Sequence, residues 1–564
     1  MPEKKKISTF DDILTSVSSF GYWQILLYLV TCTLVIIPST LQVIGFVFFA
    51  GTPRFHCVTP NVTCEDSKCC ENCTEYVFDG PFTSSVSEWN LICDRAYAGA
   101  NVQATYSAGM LVGSLVFGAT SDFLGRRFCI YLCAILLTVF SIGSALVDCL
   151  SFFAFLRFCA AAFAVGLFVA HYVFVLELVG PIHRTLADKV QSLFWCIGAG
   201  LIAFLGYFIP HWRTLLLVCS FPPLLVFTLY AIFPESARWL AVKGHLTQAH
   251  TVLMTYASKS SLSVDSDSLK NELTEYYESE MESRVGVSKR TTFLELVSSQ
   301  RLRKRTAILC FNWMIISMVY YGFLLYVTRL SGSPYLNLFL MYLSDVPTHI
   351  VCWLVLKKFG RRIPHSLMMI LGGFTCLMVL AVRKDQKSVI AALAFIGRFM
   401  ASGSFSNIYL YSSELFPTTL RNQGIGLCST SARIGSIIAP YVVMLVGYVL
   451  YCIECAREMN VCSRFMQCVD FTYCMRCVIL TQAQLPGLSS TLPMVIFGSL
   501  TVAAGFMSLL LPETLFCPTF QTVEEVNEDK EFYGTVCMGK PRPCPLPCLR
   551  STDDDAASAQ LYSI

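Results

Sequence analysis

Charge is scarce in this sequence. Asp, Glu, Lys and Arg supply 14% of its 564 residues, against roughly a quarter in soluble domains, which excludes a string of water-soluble domains. Hydrophobic residues make up 55% and the mean hydropathy is +0.58. A nucleophile–base constellation, a catalytic metal motif and a P-loop spacing are all missing. The chain is therefore not expected to be an enzyme or to hold a metal or cofactor. The net charge of +3 is small; its distribution says more than its sum, and no nucleic-acid partner is expected. A cleavable signal peptide is also missing. The start is basic at Lys4, Lys5 and Lys6, but the apolar run 24–49 is too long for a signal core and has no small-residue cleavage site.

What the sequence does have is long apolar runs separated by short charged joints, as membrane-spanning helices require. Twelve candidate spans fall at about 22–49, 97–119, 128–147, 152–176, 190–209, 214–233, 306–328, 335–356, 365–382, 389–412, 425–450 and 491–511. The expected fold is an all-α membrane protein with twelve transmembrane helices in two six-helix halves, in contact with the lipid bilayer. Residues 1–21 precede the first half (22–233), a charged loop (234–305) precedes the second half (306–511), and a tail (512–564) follows. If the spans alternate, Lys4, Lys5, Lys6, Arg126, Arg127, His183, Arg184, Lys357, Lys358, Arg361, Arg362 and Arg421 share one side. They outnumber Arg383, Lys384 and Lys387 on the other, so both termini and the 234–305 loop are expected in the cytoplasm of a multi-pass plasma-membrane protein.

The loop 50–96 is then extracellular. It carries Cys57, Cys64, Cys69, Cys70, Cys73 and Cys93, an even and dense set that reads as disulfides in an oxidising compartment. Asn61-Val-Thr63 and Asn72-Cys-Thr74 make Asn61 and Asn72 glycosylation acceptors there.

The charged joints repeat. Gly125-Arg126-Arg127 recurs as Gly360-Arg361-Arg362, and Glu177 with Arg184 recurs as Glu414 with Arg421, at nearly equal offsets along the chain. Pro234-Glu235-Ser236 recurs as Pro512-Glu513-Thr514 at a longer offset. About 40 extra residues therefore entered the second half between 421 and 512, and the stretch 451–490 has that length. Arg and Glu at such joints can pair between neighbouring helices and part when the halves rock. Asp122, Arg126, Arg127, Glu177, Arg184, Glu235, Arg361, Arg362, Glu414, Arg421 and Glu513 are thus expected to form a cytoplasmic gate. The alternative is that the Gly-Arg-Arg joints simply obey the positive-inside rule.

The stretch 451–490 holds Cys452, Cys455, Cys462, Cys468, Cys474 and Cys477. Two Cys-x-x-Cys spacings there match zinc ligands, but an extracellular location favours disulfides. In the tail, Cys537, Cys544 and Cys548 offer palmitoylation sites. The terminal Tyr562-Ser-Ile564 offers a strand to a PDZ-type partner, with disorder as the simpler account.

Inside the spans, Trp313 shares a helical face with Tyr320 and Tyr321, seven and eight residues on. Phe405 and Tyr409 lie one turn apart on the tenth span. Such faces suit bulky organic ions, or ordinary helix packing. Arg433 lies within the eleventh span, where a charge costs roughly 2.5–3.5 kcal/mol unless it faces a cavity or a partner. A guanidinium reads carboxylates bidentately, and Asp345 on the eighth span is its alternative partner. Asp345 can equally attract a cationic head. His349 adds a pH-sensitive cation nearby.

Gly118-Ala-Thr-Ser-Asp122-Phe-Leu-Gly125-Arg126-Arg127 resembles the signature of the major facilitator superfamily between its second and third spans. From Phe10 to about Glu525 the chain resembles solute carrier family 22, the organic cation, anion and carnitine transporters. The resemblance rests on Glu88-Trp-Asn-Leu-Ile-Cys-Asp94, Pro210-His-Trp-Arg213, Pro234-Glu-Ser-Ala-Arg-Trp-Leu240, Arg301-Leu-Arg-Lys-Arg-Thr306 and Glu414-Leu-Phe-Pro-Thr-Thr-Leu-Arg-Asn422. It implies alternating access around a central site, in which Trp313, Tyr320, Tyr321, Phe405 and also Tyr207 match cavity positions. In that family, anion and carnitine transporters carry Arg where Arg433 stands, and anion transporters carry Lys where His349 stands. One acid and one base suit a zwitterion, so transport of zwitterions or organic cations such as carnitine is the leading expectation. An organic anion transporter is the alternative, and a non-transporting sensor or binding protein a second. The coupling ion, sodium or an exchanged ion, is left open.

Overall fold

The computed structural model describes residues 10–59, 73, 75–230, 232–260, 264–286, 296, 299–327, 332–382, 386–417, 420–458, 492–515 and 526–527. Asn61, Asn72, Cys64, Cys69, Cys70, the palmitoylation candidates and the C-terminal tripeptide lie outside these residues. Ten helices among the described residues are long and apolar enough to cross a membrane. They are Tyr22–Phe49, Ala96–Leu124, Arg126–Leu146, Leu150–Leu178, Leu186–Phe208 (within the helix Arg184–Phe208), Trp212–Leu229, Gln300–Leu325, Pro334–Leu356, Arg362–Ala381 and Ser388–Leu415. Arg421–Glu458 and Leu492–Ser508 complete twelve. In chain order these are spans one to twelve, and all fall on the expected ranges. A helix satisfies its own backbone hydrogen bonds, which lipid cannot do, so length and hydropathy suffice to place each one.

Span eleven runs to Glu458, into the extra stretch and through Cys452 and Cys455. The rest of that stretch, and its zinc-or-disulfide question, lies outside the described residues.

The repeat is built into the packing. Span two packs on span eleven and span eight on span five, two contacts that exchange under a six-span shift and join the halves. Gly198 on span five and Gly435 on span eleven stand at the same offset as Glu177 and Glu414, and they are equivalent points of close approach. A Cβ on Gly198 would lie 2.8 Å from Thr40 Cβ and 3.3 Å from Ile37 Cα of span one. A Cβ on Gly435 would collide with the Met314 carbonyl of span seven. Small residues let membrane helices meet backbone to backbone, where dispersion is strongest.

Three features depart from the sequence reading. The outer loop holds a two-stranded antiparallel hairpin, Phe55–Thr59 with Glu75–Phe78, in an otherwise helical chain. The charged 234–305 loop folds into helices Ala237–Val242, Leu246–Lys259 and Ser266–Gly286. Packed against them is an N-terminal helix, Phe10–Ser18, whose Phe10, Ile13, Leu14 and Val17 form one buried stripe.

Cys57 and Cys73 are joined by a disulfide, with Cα atoms 6.0 Å apart, and Cys93 is also disulfide-bonded. Two of the quoted motifs meet beside this loop. Glu88 takes the Trp212 indole N–H at 2.8 Å and is paired with Arg213. The Trp89 and Trp212 rings lie 5.9 Å apart.

Candidate functional site

The charged joints resolve into two copies of one device. Gly125 at φ +101° and Gly360 at φ +89° turn the chain between spans two and three and between spans eight and nine. A Cβ on either glycine would run into a glutamate, Glu235 or Glu513. Those carboxylates cap the following helix. Glu235 accepts from the backbone N–H of Arg126 at 2.9 Å and of Arg127 at 3.1 Å. Glu513 accepts from those of Arg361 at 2.8 Å and Arg362 at 3.1 Å. An anion on the exposed N–H groups of a helix start is favourable. Burial nevertheless pushes the Glu235 carboxyl above its usual range, against the pull of the Ser236, Arg127 and Arg126 amides.

The side chains of Arg126 and Arg361 each reach an acid on another helix. Arg126 forks onto Glu177 at 2.9 and 2.8 Å and also meets Asp122 at 2.9 Å. Arg361 binds Glu414 at 3.0 Å. Arg127 and Arg362 donate to the carbonyls of Tyr230 and Leu509, both at 2.7 Å. Arg184 does not pair with Glu177; it holds Asp11 of the N-terminal helix at 2.6 and 3.1 Å. Arg421 Nε and Nη2 have no partner among the described residues. Each ion pair named here lies within one half, so it ties a half together rather than latching one half to the other. Each carboxylate is within reach of the joint beside it in its own half, and the pairing is decided there.

At the centre, the two aromatic faces come together. Trp313 and Tyr409 ring centroids are 4.3 Å apart, Tyr320 and Phe405 5.3 Å, and Phe405 and Tyr409 5.6 Å. Trp313 is fixed by its indole N–H on Ser412 Oγ at 2.9 Å. Tyr409 is 42% exposed. Tyr321, beside Tyr320, accepts from Arg433 Nη1 at 3.2 Å. Arg433 Nη1 also lies 4.0 Å from Met110 Sδ on span two, which puts the guanidinium at the seam between the halves.

Asp345 does not balance Arg433. It pairs with Arg398 of span ten at 2.9 Å, with side chains 4% and 1% exposed. The Arg398 guanidinium lies 3.6 Å from the Tyr320 ring centroid. Nor does Tyr207 join the centre. It is 65% exposed at the C-terminal end of span five, edge-on to Tyr335 of span eight at 5.8 Å. Tyr335 also meets Phe48 at 5.3 Å and donates to the Pro81 carbonyl at 2.9 Å, so Tyr207 belongs to an outer seam. It stands one residue before the last of its helix, too near the end to reach the midplane.

His349 Nδ1 lies 3.4 Å from Ser406 Oγ, and the same hydroxyl accepts from Lys189 Nζ of the other half at 3.0 Å. Lys189 lies 3.1 Å from Asp188, which accepts from the Tyr172 hydroxyl at 3.3 Å. Sequence reasoning missed Asp188 and Lys189 because span five was drawn from residue 190, whereas its helix starts at Arg184. It also missed Arg398 and Arg157, although both lie inside expected spans, the signal that singled out Arg433. Arg157 is fully buried, donates to Gln42 Oε1 at 3.2 Å and lies 5.0 Å from the Tyr106 ring centroid.

Residues 76–453 match the family model described as sugar (and other) transporter. The chain is 29% identical to the organic cation transporter protein of Drosophila melanogaster, covering 92% of this chain and 94% of that one. It is 30% identical to solute carrier family 22 member 15 of Xenopus tropicalis, covering 91% and 90%. Among solved structures, the xylose transporter XylE from E. coli in its inward-open conformation matches at a TM-score of 0.54. It is 15% identical, with 90% of this chain and 99% of that chain covered, a likeness of fold.

Proposed function

Since the chain belongs to solute carrier family 22, within the sugar (and other) transporter family, we propose that it carries small organic ions across the plasma membrane, taking zwitterions and organic cations such as carnitine. It is a transporter and not an enzyme. Two of its cross-half packings, span two on eleven and span five on eight, are equivalent under the repeat, as rocking about a central site requires.

The observation that carries the reading is Arg433. Its guanidinium sits between the halves on Tyr321 and forms no ion pair among the described residues. Beside it, Trp313, Tyr320, Phe405 and Tyr409 form one connected ring cluster. A carboxylate on Arg433 with a quaternary ammonium against those rings uses both features. Asp345, already neutralised by Arg398, is not needed for the cationic head. The same neutralisation supports the alternative, an organic anion, because it leaves Arg433 at the seam with no ion-pair partner among the described residues. Sodium coupling and exchange remain alternatives for the driving step.

Uptake of carnitine, tetraethylammonium and an aromatic monocarboxylate into cells expressing the chain, with and without sodium, tests this reading. Arg433→Gln is expected to cut carnitine uptake about 10- to 100-fold, the scale of one charge-assisted bond, and to leave tetraethylammonium uptake nearly unchanged. Full carnitine uptake by that variant at normal surface level would remove Arg433 from the site. Carnitine binding without flux in the parent would make the chain a sensor instead.

A further inference from the structure

We propose that the face carrying the arginine joints also holds a binding site for the phosphate-bearing headgroup of an anionic phospholipid. The site is a cleft of about 610 Å³ where the N-terminal helix turns into span one, lined by Thr15, Ser18, Ser19, His183, Lys259 and Ser260. Three elements converge there: the entry to span one, the turn between spans four and five, and the end of the cytoplasmic helix Leu246–Lys259. The Ser19 carbonyl accepts from Gly180 N at 2.8 Å, Ser19 Oγ lies 3.2 Å from His183 Nδ1, and Ser18 Oγ lies 3.4 Å from Ser260 Oγ. Gly21 is pressed between them, since a Cβ there would strike the hydroxyls of Ser260 and Ser18.

The lining is rich in donors and contains no acid. Asp11, in the helix beside it, is engaged by Arg184 at 2.6 Å and lies 3.8 Å from Arg238. Thr15 and Ser18 donate to the Asp11 carbonyl at 2.7 Å and to Gln24 Oε1 at 2.8 Å, so the Ser19 and Ser260 hydroxyls, the His183 imidazole and the Lys259 ammonium are the donors offered to the acceptor oxygens of a phosphate. The start of span one adds to this. Gln24 Oε1 takes the Gly21 N–H at 2.8 Å, while Gly21 itself has no side-chain oxygen to cap the N–H groups of the first turn, so the positive end of a long helix opens onto the cleft.

Position selects the source of the phosphate. Tyr22 at the lip is 74% exposed, Ile182 beside His183 is 69% exposed, and Lys259 Nζ lies 5.5 Å from the Trp23 ring. Tyr and Trp mark the headgroup level of a bilayer. On the cytoplasmic side, where the Lys and Arg distribution puts this face, the leaflet is rich in anionic lipids. An apolar lip around a polar cleft fits a headgroup with chains attached better than a free phosphate compound.

The test is the melting midpoint of the purified full-length chain in neutral detergent, titrated with dioctanoyl phosphatidylinositol 4,5-bisphosphate. Inositol trisphosphate is the chain-free headgroup and dioctanoyl phosphatidylcholine the neutral lipid. A saturable rise with the phosphoinositide and none with phosphatidylcholine is expected. Lys259→Gln, an exposed substitution that should leave the unliganded midpoint unchanged, is expected to weaken the apparent affinity about fivefold. An equal rise with inositol trisphosphate would assign the cleft to a soluble phosphate compound and overturn the lipid site. No rise, or a rise untouched by both Lys259→Gln and Ser260→Ala, would overturn the site itself. Transport plays no part in the readout, so the outcome is independent of the substrate reading.

Discussion

Asp345→Asn separates a carboxylate that serves substrate from one that serves the fold. Asp345 Oδ2 meets Arg398 Nη2 at 2.9 Å, with side chains 4% and 1% exposed, and Arg398 in turn lies against Tyr320 and 5.5 Å from the Tyr342 centroid. Removing one member of a buried pair costs about 3–5 kcal/mol, because the other charge stays in a low-dielectric medium without compensation. Set against a typical total of about 5–15 kcal/mol, that is a large share. Asp345→Asn and Arg398→Met should each reduce surface protein severalfold and lower the melting midpoint of the detergent-extracted chain. The double variant Asp345→Leu with Arg398→Met removes both charges, and such replacements are neutral or stabilising by about 1–4 kcal/mol. It should therefore recover surface level while transport stays weak, because Tyr320 loses the guanidinium beneath it. Surface biotinylation, a melting curve and uptake on the same four proteins give the answer. If Asp345→Asn reaches the surface and melts like the parent, and only the KM for a cation rises, then Asp345 reads substrate and its assignment to the fold is wrong.

Glu177→Gln should lower the melting midpoint more than Glu414→Gln. Its bond to Arg126 is the more buried of the two, with exposures of 7% and 12% against 16% and 20%, and a charged bond is worth about 1.5–3 kcal/mol; equal losses would contradict this ranking. Gly435→Ala should cost roughly 1–3 kcal/mol by overpacking. It should also weaken uptake, because the intruding Cβ meets the rigid Met314 carbonyl close to Arg433 along span eleven. Gly198→Ala, which first meets the Thr40 side chain, should be milder, and the reverse order in melting and uptake would argue against backbone contact at Gly435. Burial alone would raise the Glu88 carboxyl, but bonds from Arg213 and Trp212 hold it below its usual value of 4.5. The tether it makes to span six is therefore complete above that value and is lost as pH falls through the lowered pKa. Proteolysis of the 50–96 loop should begin only once pH falls below that usual value, whereas Glu88→Gln should be cleaved at neutral pH; cleavage of the parent near pH 6 would refute the tether.

Properties carried by a single segment could be read directly. Each span announces itself because lipid forces its backbone bonds inside the helix, and the seven-residue spacing of Trp313 and Tyr320 sets their shared face whatever surrounds them. The joints at Gly125 and Gly360 were legible as a repeat, since the same backbone turn needs the same residue twice. The stripe Phe10, Ile13, Leu14, Val17 was readable too, and was passed over only because the chain before span one was treated as a terminus.

By itself, then, the sequence determined the number of helices, their halves and the aromatic faces. Partnership was decided by the tertiary structure. Arg398 and Arg433 stand on neighbouring spans as equivalent charges in the sequence, and only packing puts one on Asp345 and the other on Tyr321 at the seam. Depth was decided the same way: span five starts six residues earlier than expected, which brings Lys189 and Asp188 in among the polar groups, and Tyr207 stands at the rim, one residue from the end of that helix. Helix formation is local, whereas the energy of a charge or a ring in a membrane depends on what the other helices bring beside it.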